Sequence, residues 1–302
     1  MTKLNTIAPV LFLVMWSSGA VIVKLGLQFS SQWSFLALRA LISLLCISVI
    51  FLISRRFSKA RFSKPTQSDI ASILMVGLLL QVLYLTFYIL AIDSGMSPGL
   101  VTLVLGIQPL ITPLLCQQKI DRIKVLLLVL GFSGLCIAIA GAQTLTEIGW
   151  SGLLSAVLAL LALTFGTIKQ KKVTIQPVQA MWYQCLLSST IFTLVSLYVG
   201  WEINWTGELV FSALWMSIVV SVGALLLLMY MVNKESSDKV SVLFYAVPVL
   251  TYLFDHLLFG TTLSSTTLFG MALVAFSILI YRRQTSTNHD YESSSVISQN
   301  SR

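Results

Sequence analysis

Charge is what this sequence has least of. Only 10% of its 302 residues are charged, 57% are hydrophobic, and the mean hydropathy is +0.90. A soluble domain usually carries about 25% charged residues, because polar side chains must cover its surface. The composition therefore excludes a soluble globular domain of this size and indicates that lipid covers the outside of the protein.

Cysteine and histidine are also scarce. The histidines are His256 and His289, and the four cysteines lie in or at the ends of apolar runs without a CxxC pair. We therefore predict no metal site, no cofactor and no disulfide framework, and interpret the cysteines as small packing residues. The sequence also lacks HExxH, a P-loop and GxSxG, which argues against an enzyme. The cysteines are Cys46, Cys116, Cys136 and Cys185.

Long apolar runs dominate what is present. A hydrocarbon core about 30 Å thick needs roughly 20 apolar residues at about 1.5 Å per residue. The sequence predicts an all-α integral membrane protein with ten transmembrane helices. We expect the first run to be an uncleaved helix, since it is longer than a signal-peptide core. The ten runs lie near residues 7–26, 34–53, 70–91, 97–116, 122–141, 148–168, 178–200, 209–232, 239–258 and 264–281.

Basic residues mark one side of the membrane. Lys and Arg cluster in the even-numbered connections, from Arg55–Lys64 to Arg282 and Arg283, whereas the odd-numbered ones carry Asp93 and Glu202. Because Lys/Arg excess marks the cytoplasmic side, we expect both termini in the cytoplasm of a multi-pass plasma-membrane protein, here a bacterial inner membrane. The net charge of +8 then faces anionic lipid headgroups, so nucleic acid is not a predicted partner.

The two halves share a weak internal repeat. At an offset of 139 residues Pro109 falls on Pro248 and Gly131 on Gly270, and at 147 Gly19 falls on Gly166. Five spans in each half is an odd number, so repeated halves are inverted in the membrane. Chance similarity is the alternative. The predicted divisions are a first five-helix repeat over 1–141, a second over 148–282, and a disordered cytoplasmic tail over 283–302.

Inverted repeats carry a transport mechanism. Their halves can exchange conformations, which opens a midplane site at the repeat interface to each side in turn. Pro109 and Pro248 are expected mid-helix in the fourth and ninth spans, where each removes a backbone hydrogen bond and kinks its helix. We predict that this pair takes part in gating. The alternative is that membrane helices simply tolerate proline.

Several short motifs resemble the EamA-type transporters of the drug/metabolite transporter superfamily. They are the stretch 16–20 ahead of Lys24, Leu38-Arg39-Ala40, the turn at 91–98, Gln108-Pro109-Leu110 and Val247-Pro248-Val249. The resemblance covers about residues 7–282. Family members usually place a Glu shortly after the fourth and ninth helices, whereas this chain has Gln117-Gln118 and Gly260-Thr261 there. The expectation for the fold does not depend on these positions.

The resemblance implies export of amino acids, other small metabolites or drugs. We accordingly predict a secondary transporter that exports a small organic solute, acting as a monomer or homodimer in the lipid bilayer. The alternative is a membrane channel or a lipid-handling protein without carrier activity. The sequence has neither a TVGYG filter nor an Arg ladder for voltage sensing.

Intramembrane ionisable residues are functional candidates because they are costly to place in lipid. Arg39 can meet a substrate carboxylate, and its alternative role is to stabilise the fold. Lys24 is expected to snorkel. Asp255 and His256 are candidates for an ion pair, with Arg39 or Lys24 as partner, or for a proton site, since imidazole titrates near neutral pH.

Polar and aromatic residues at mid-depth complete the predicted substrate site. Gln81, Tyr84 and Tyr88 recur at helical spacing and mark one face of the third span. A buried Gln in lipid is costly unless paired, which a wet cavity or interhelical hydrogen bonds would solve. Trp182 can instead belong to the interfacial aromatic belt. With Arg39, the predicted substrate-binding residues are Trp16, Gln81, Tyr84, Tyr88, Gln108, Trp182, Gln184, Trp215 and Tyr245.

Overall fold

The fold is helical throughout the part of the chain that the computed structural model describes. Apart from an isolated antiparallel bridge between Ser30 and Ile203, these residues form no β-structure. In lipid this is expected, because a helix satisfies its backbone hydrogen bonds within itself. The described residues are 3–57, 64–96, 98–116, 121–142, 149–234, 240, 242–259 and 264–299.

Helices follow the apolar runs from one end to the other. The first half contains α1 (Lys3–Leu27), α2 (Gln32–Phe57), α3 (Gln67–Asp93), α4 (Pro98–Leu105), α5 (Gln108–Leu115) and α6 (Arg122–Ala142). The second half contains α7 (Trp150–Gln170), α8 (Pro177–Val199), α9 (Gly207–Lys234), a 3₁₀ segment (Val242–Tyr245), α10 (Ala246–Phe259) and α11 (Ser265–Gln299).

Local sequence fixes several helix ends. The Thr66 hydroxyl accepts a hydrogen bond from the Asp69 backbone N–H, and the Thr66 N–H donates to the Asp69 carboxylate, which forms a capping box at the start of α3. Thr206 caps α9 by accepting from the Leu209 N–H at 3.2 Å. Gly200 ends α8 with φ +129°, a backbone conformation that other residues rarely adopt.

Six of the described helices are long and apolar enough to cross a membrane: Ile7–Leu27, Gln32–Phe57, Gln67–Asp93, Trp150–Gln170, Pro177–Val199 and Gly207–Lys234. Val242–Thr251 and Ser265–Tyr281 are apolar but shorter. Large apolar side chains such as Leu45, Leu126 and Leu197 are exposed on the outside of the bundle, where lipid accommodates them. The protein is therefore an all-α membrane protein, and the count of ten spans stays a prediction.

The two prolines that were predicted to take part in gating lie at helix starts rather than in mid-helix. The fourth span is divided by a turn at Gly106–Ile107, and Pro109 stands in the first turn of α5. Pro248 stands in the first turn of α10, directly after the 3₁₀ segment. Proline has no N–H to donate and is well tolerated in a first helical turn, where that N–H would be unpaired anyway. In place of the expected mid-helix kinks, the fourth span has a helix break before Pro109, and the ninth changes from 3₁₀ to α-helix before Pro248.

Two helices contain π-helical segments. Leu78–Leu83 interrupts α3, and Trp215–Ala224 interrupts α9. A π-segment inserts extra residues into a helical turn and is frequent at functional sites. These segments occupy the third and eighth predicted spans, which are the third helix of each half.

Helix packing pairs the first half with the second. The most extensive contacts join α6 with α11, α2 with α8, and α3 with α7, while α1 packs on α9 and α10. The α6–α11 pair approaches closely at Gly134 and Gly270, where a Cβ on Gly270 would overlap the backbone of Ala138. Beyond its apolar stretch α11 continues to Gln299, so the structure gives helical backbone to most of the predicted tail.

Candidate functional site

A cavity lies between the two halves of the chain. It holds about 830 Å³ of unoccupied space, its open mouth included. α1, α2, α3 and α4 line it from the first half, and α9, the 3₁₀ segment and α10 line it from the second. Binding clefts for small molecules commonly have a mainly apolar lining of this kind with a few polar groups.

Arg39 is the charged side chain among the described residues that line this cavity. It is 6% exposed, and its Nε donates a hydrogen bond to the Ser221 Oγ at 2.7 Å. The backbone carbonyl of Arg39 accepts from the Ser217 Oγ at 3.0 Å and from the Ser43 Oγ at 2.7 Å. Two serines of the α9 π-segment therefore hold both the side chain and the backbone of this residue.

The guanidinium keeps most of its hydrogen-bonding capacity. It carries five N–H donors, and within the described part of the chain only the Nε–H has an acceptor. The two Nη groups thus remain available at a cavity wall. Planar paired donors of this kind match the two oxygens of a carboxylate.

Aromatic rings form one wall of the cavity. The Trp16 and Tyr84 rings stack with centroids 6.2 Å apart and an interplanar angle of 22°. Tyr84 is followed by Tyr88 at 5.9 Å, and Phe244 meets Trp16 edge-on at 5.7 Å. These contacts join α1 and α3 to the 3₁₀ segment, so the wall includes residues from both halves.

A smaller cavity adjoins the first, and Arg39, Gln81 and Ser221 line both. The smaller space, about 190 Å³, is also lined by Ser43 and Ser188. The Gln81 Nε2 lies 3.6 Å from the Cys185 Sγ. Gln81 belongs to the π-segment of α3 and Ser221 to that of α9, so both irregular segments contribute polar groups at the same place.

Several residues predicted for the substrate site come together at the cavity. Its lining includes Trp16, Arg39, Gln81, Tyr84, Tyr88 and Pro248. The three α3 residues share a face as their spacing predicted. The other predicted residues lie elsewhere in the bundle.

Tyr245 and Trp215 each lie one residue away from a lining residue. Tyr245 is fully buried and donates its hydroxyl to the Leu128 carbonyl at 3.0 Å, while its neighbour Phe244 lines the cavity. The Trp215 Nε1 donates to the Ser18 Oγ at 3.0 Å. Both residues were predicted from their depth in the membrane, which does not specify the side of the helix that faces the cavity.

Three further predicted residues contact other helices. The Trp182 Nε1 donates to the Ser48 Oγ at 3.0 Å, between α8 and α2. The Gln184 Nε2 lies 3.3 Å from the Gln170 Oε1. Gln108 is fully buried beside Pro109 at the start of α5, and its amide atoms have no hydrogen-bond partner among the residues that the structure describes. None of the three is among the cavity-lining residues that the structure describes.

The remaining ionisable candidates are away from the described lining. Lys24 is exposed in the last turn of α1, consistent with a snorkelling lysine. Asp255 and His256 belong to α10, but their side chains lie outside the described residues. Arg39 has Ser221 as its described partner, so a pair with Asp255 stays a prediction.

Sequence reasoning missed Ser221, Thr102 and Phe244 at the cavity. Small hydroxyl residues give a weak signal in apolar helices, because they can hydrogen-bond to their own backbone. The internal repeat offered a signal for Ser221. This serine follows Gln81 by 140 residues, one more than the offset that aligns Pro109 with Pro248, so it lies close to the position in the second half that corresponds to Gln81. The described part of the chain contains no group of three potential metal ligands.

The second half of the chain matches a known protein family. Residues 150–283 match the EamA-like transporter family. The resemblance to EamA-type transporters is confirmed. The match lies over the predicted second repeat, 148–282, and it contains the cavity residues contributed by α9, the 3₁₀ segment and α10.

A relative and a solved structure match nearly the whole chain. The "Uncharacterized transporter YvbV" of Bacillus subtilis (strain 168) is 25% identical over 297 residues, which cover 92% of each chain. A crystal structure of a protein with 17% identity has a TM-score of 0.75 and covers 93% of this chain and 97% of its own, so the two share a fold. Together with the apolar helices, the EamA-like match places this chain among membrane transporters.

Proposed function

We propose that this protein is a secondary transporter that exports a small organic metabolite, such as an amino-acid-like solute or a drug, across the plasma membrane by alternating access. The observation that carries the proposal is the cavity between the two halves, which holds a single described cation, Arg39, beside an aromatic wall. A substrate bound there contacts both halves, so a movement of one half against the other changes its access.

The packing of the helices supports two exchangeable halves. If the halves are exchanged, the contact of α1 with α9 corresponds to that of α7 with α3. The contact of α1 with α10 corresponds in the same way to the contacts of α7 with α4 and α5, which together form the fourth span. The pairs α2–α8 and α6–α11 each join equivalent helices of the two halves, so the exchange leaves them unchanged. This is the pattern expected of two five-helix repeats, over 1–141 and 148–282, that are inverted in the membrane.

The irregular helices support a moving cavity. Each half has a π-segment in its third helix and a break or change of helix type at the proline of its fourth. Interrupted helices in corresponding positions of two repeats are typical of the binding region of transporters. Pro109 and Pro248 are therefore proposed to take part in gating.

Membrane topology completes the proposal. Ten spans with both termini in the cytoplasm account for the alternation of basic and acidic connections. The protein acts as a monomer or homodimer, and its partners are the small-molecule substrate and the bilayer.

Counterflow in proteoliposomes tests carrier function. Vesicles containing the protein are preloaded with one unlabelled compound at a time, from a panel of amino acids, organic acids and drugs, and tracer uptake of that compound is measured. A carrier gives saturable uptake and a transient accumulation, which a channel or a lipid-handling protein does not. Growth protection of expressing cells against toxic members of the panel tests the direction, since an exporter protects and an importer sensitises.

A further inference from the structure

The charges of the cavity point to one class of substrate. Arg39 is a buried cation, and none of the described lining residues carries a carboxylate. Arg39 thus has no counterion among the described lining residues, and a buried charge in that state is costly, so a ligand that supplies one negative charge is favoured. Resting on the proposed function and narrowing it, we infer that the substrate is a small organic monoanion with one carboxylate and an apolar body, rather than a cation, a dianion or a zwitterion such as an amino acid.

The geometry of Arg39 favours a particular docking mode. Ser221 takes the Nε–H at 2.7 Å, which prevents a carboxylate from approaching the Nε edge of the guanidinium. The opposite edge, formed by the two Nη groups, has no acceptor among the described residues. A carboxylate can bind there through two parallel charge-assisted hydrogen bonds. Ser221 is a positioning residue in this arrangement, because it orients the guanidinium without using the Nη groups.

The rest of the lining fits an apolar body. The cavity walls near Arg39 and the aromatic cluster carry Val23, Leu80, Leu85, Ile89, Met216 and Val220. A second carboxylate or an ammonium would face these side chains without an ionic partner, which is costly in a low-dielectric site. An ammonium can interact with the faces of Trp16 or Tyr84, but the full positive charge of Arg39 in the same cavity repels it.

Ligand binding to the purified full chain tests the inference. Two apolar bodies, phenylethyl and 3-methylbutyl, each carry four head groups: carboxylate, carboxamide, amino acid and amine. Phenylsuccinate adds a dianion. Dissociation constants are measured by calorimetry at pH 7 for the wild type, for Arg39→Gln and for Arg56→Gln. Arg56 is exposed at the end of α2, so its substitution removes one positive charge from the same helix outside the cavity.

We expect the wild type and Arg56→Gln to bind the carboxylates at least about tenfold more tightly than the matched amides, amino acids, amines and dianion. In Arg39→Gln the carboxylate and the amide should bind equally. The wild-type series keeps the test decisive if Arg39→Gln does not fold. Absence of carboxylate binding on both bodies overturns the inference, and so does equal or tighter binding of the amino acids or amines.

Two outcomes separate this inference from the proposed function. If the amino acids bind best and Asp255→Asn removes that preference, Asp255 holds an ammonium and the monoanion inference fails, whereas counterflow of the same amino acid keeps the transporter proposal. If carboxylates bind selectively but produce no counterflow, the inference stands and carrier function fails.

Discussion

Arg39 of α2 donates from its Nε to the Ser221 Oγ of α9 at 2.7 Å, which joins the second helix of one half to the π-segment in the third helix of the other. One turn earlier, Ser217 donates to the Arg39 carbonyl at 3.0 Å. Because both serines belong to the π-segment, the direction of the guanidinium depends on the register of that segment.

Substitution of Ser221 tests this dependence. In Ser221→Ala the Nε–H loses its acceptor, and the guanidinium is free to rotate, so we expect about tenfold weaker substrate binding and a stability loss of about 1–3 kcal/mol. Ser221→Thr keeps the hydroxyl and should retain most of both. The measurements are the substrate dissociation constant and the thermal unfolding midpoint in detergent. Equal behaviour of the Ala and Thr variants would show that the hydroxyl does not position Arg39.

Thiol labelling tests which residues face the aqueous cavity. After replacement of the native cysteines, we expect Gln81→Cys, Tyr84→Cys and Phe244→Cys to react with a membrane-impermeant maleimide, because these positions line the cavity. Tyr245→Cys should remain unmodified, because that side chain is fully buried against α6. Mass spectrometry of the intact protein measures the extent of labelling.

Leu45→Cys is the control for accessibility, since Leu45 is exposed on the lipid-facing outside of α2. It should react slowly, because thiolates form poorly in hydrocarbon. If Tyr245→Cys were labelled as fast as Phe244→Cys, the finding that Phe244 rather than Tyr245 lines the cavity would be contradicted.

Regular helical periodicity explains which part of the site was predictable. Gln81, Tyr84 and Tyr88 were identified from their spacing, and they line the cavity from α3. Tyr245 and Trp215 were assigned to it by their depth in the membrane alone, whereas the lining includes their neighbours Phe244 and Met216. Which side of a helix faces the cavity depends on tertiary packing, which the local sequence does not specify.

The apolar runs predicted the helices more securely than the site. Burial in lipid requires long helices whatever their packing, so α1, α2, α7 and α8 follow their predicted spans closely. The break before Pro109 could be expected from proline alone only as a kink. Whether a proline kinks a helix or divides it depends on the neighbours that bind the freed carbonyl groups.

Close packing at Gly270 should be essential for the α6–α11 pair. A Cβ on Gly270 would overlap the backbone of Gly134 and Ala138, and backbone cannot move aside as a flexible side chain can. We expect Gly270→Ala to destabilise the protein by about 1–3 kcal/mol. Gly207→Ala is the matched control, because a Cβ there meets no atom within 4 Å. Equal thermal unfolding midpoints for the two variants would contradict the packing of this pair.

Reporter fusions test the proposed topology. Fusions after Lys64, Lys124, Lys172 and Arg283 should report cytoplasm, whereas fusions near Asp93, Glu147 and Glu202 should report the outside. The physical reason is the concentration of Lys and Arg in alternate connections. Paired alkaline phosphatase and fluorescent protein fusions give opposite signals at each site, so a low signal is not mistaken for a location. An external location after Lys172 would contradict the ten-span arrangement.

Substitution of Arg39 separates substrate binding from structural support. Arg39→Lys keeps the charge but has no planar pair of donors, so we expect transport with about tenfold or greater loss of apparent affinity at normal protein levels. Arg39→Ala should abolish transport of the charged substrate in a protein that still folds. If Arg39 instead supports the fold through Asp255, Arg39→Ala and Asp255→Ala should both lower the unfolding midpoint, and the double variant should recover part of the loss, because neither charge is left unpaired. Transport and unfolding are measured on the same purified preparations. Unchanged transport by a stable Arg39→Ala protein would remove this residue from the binding site.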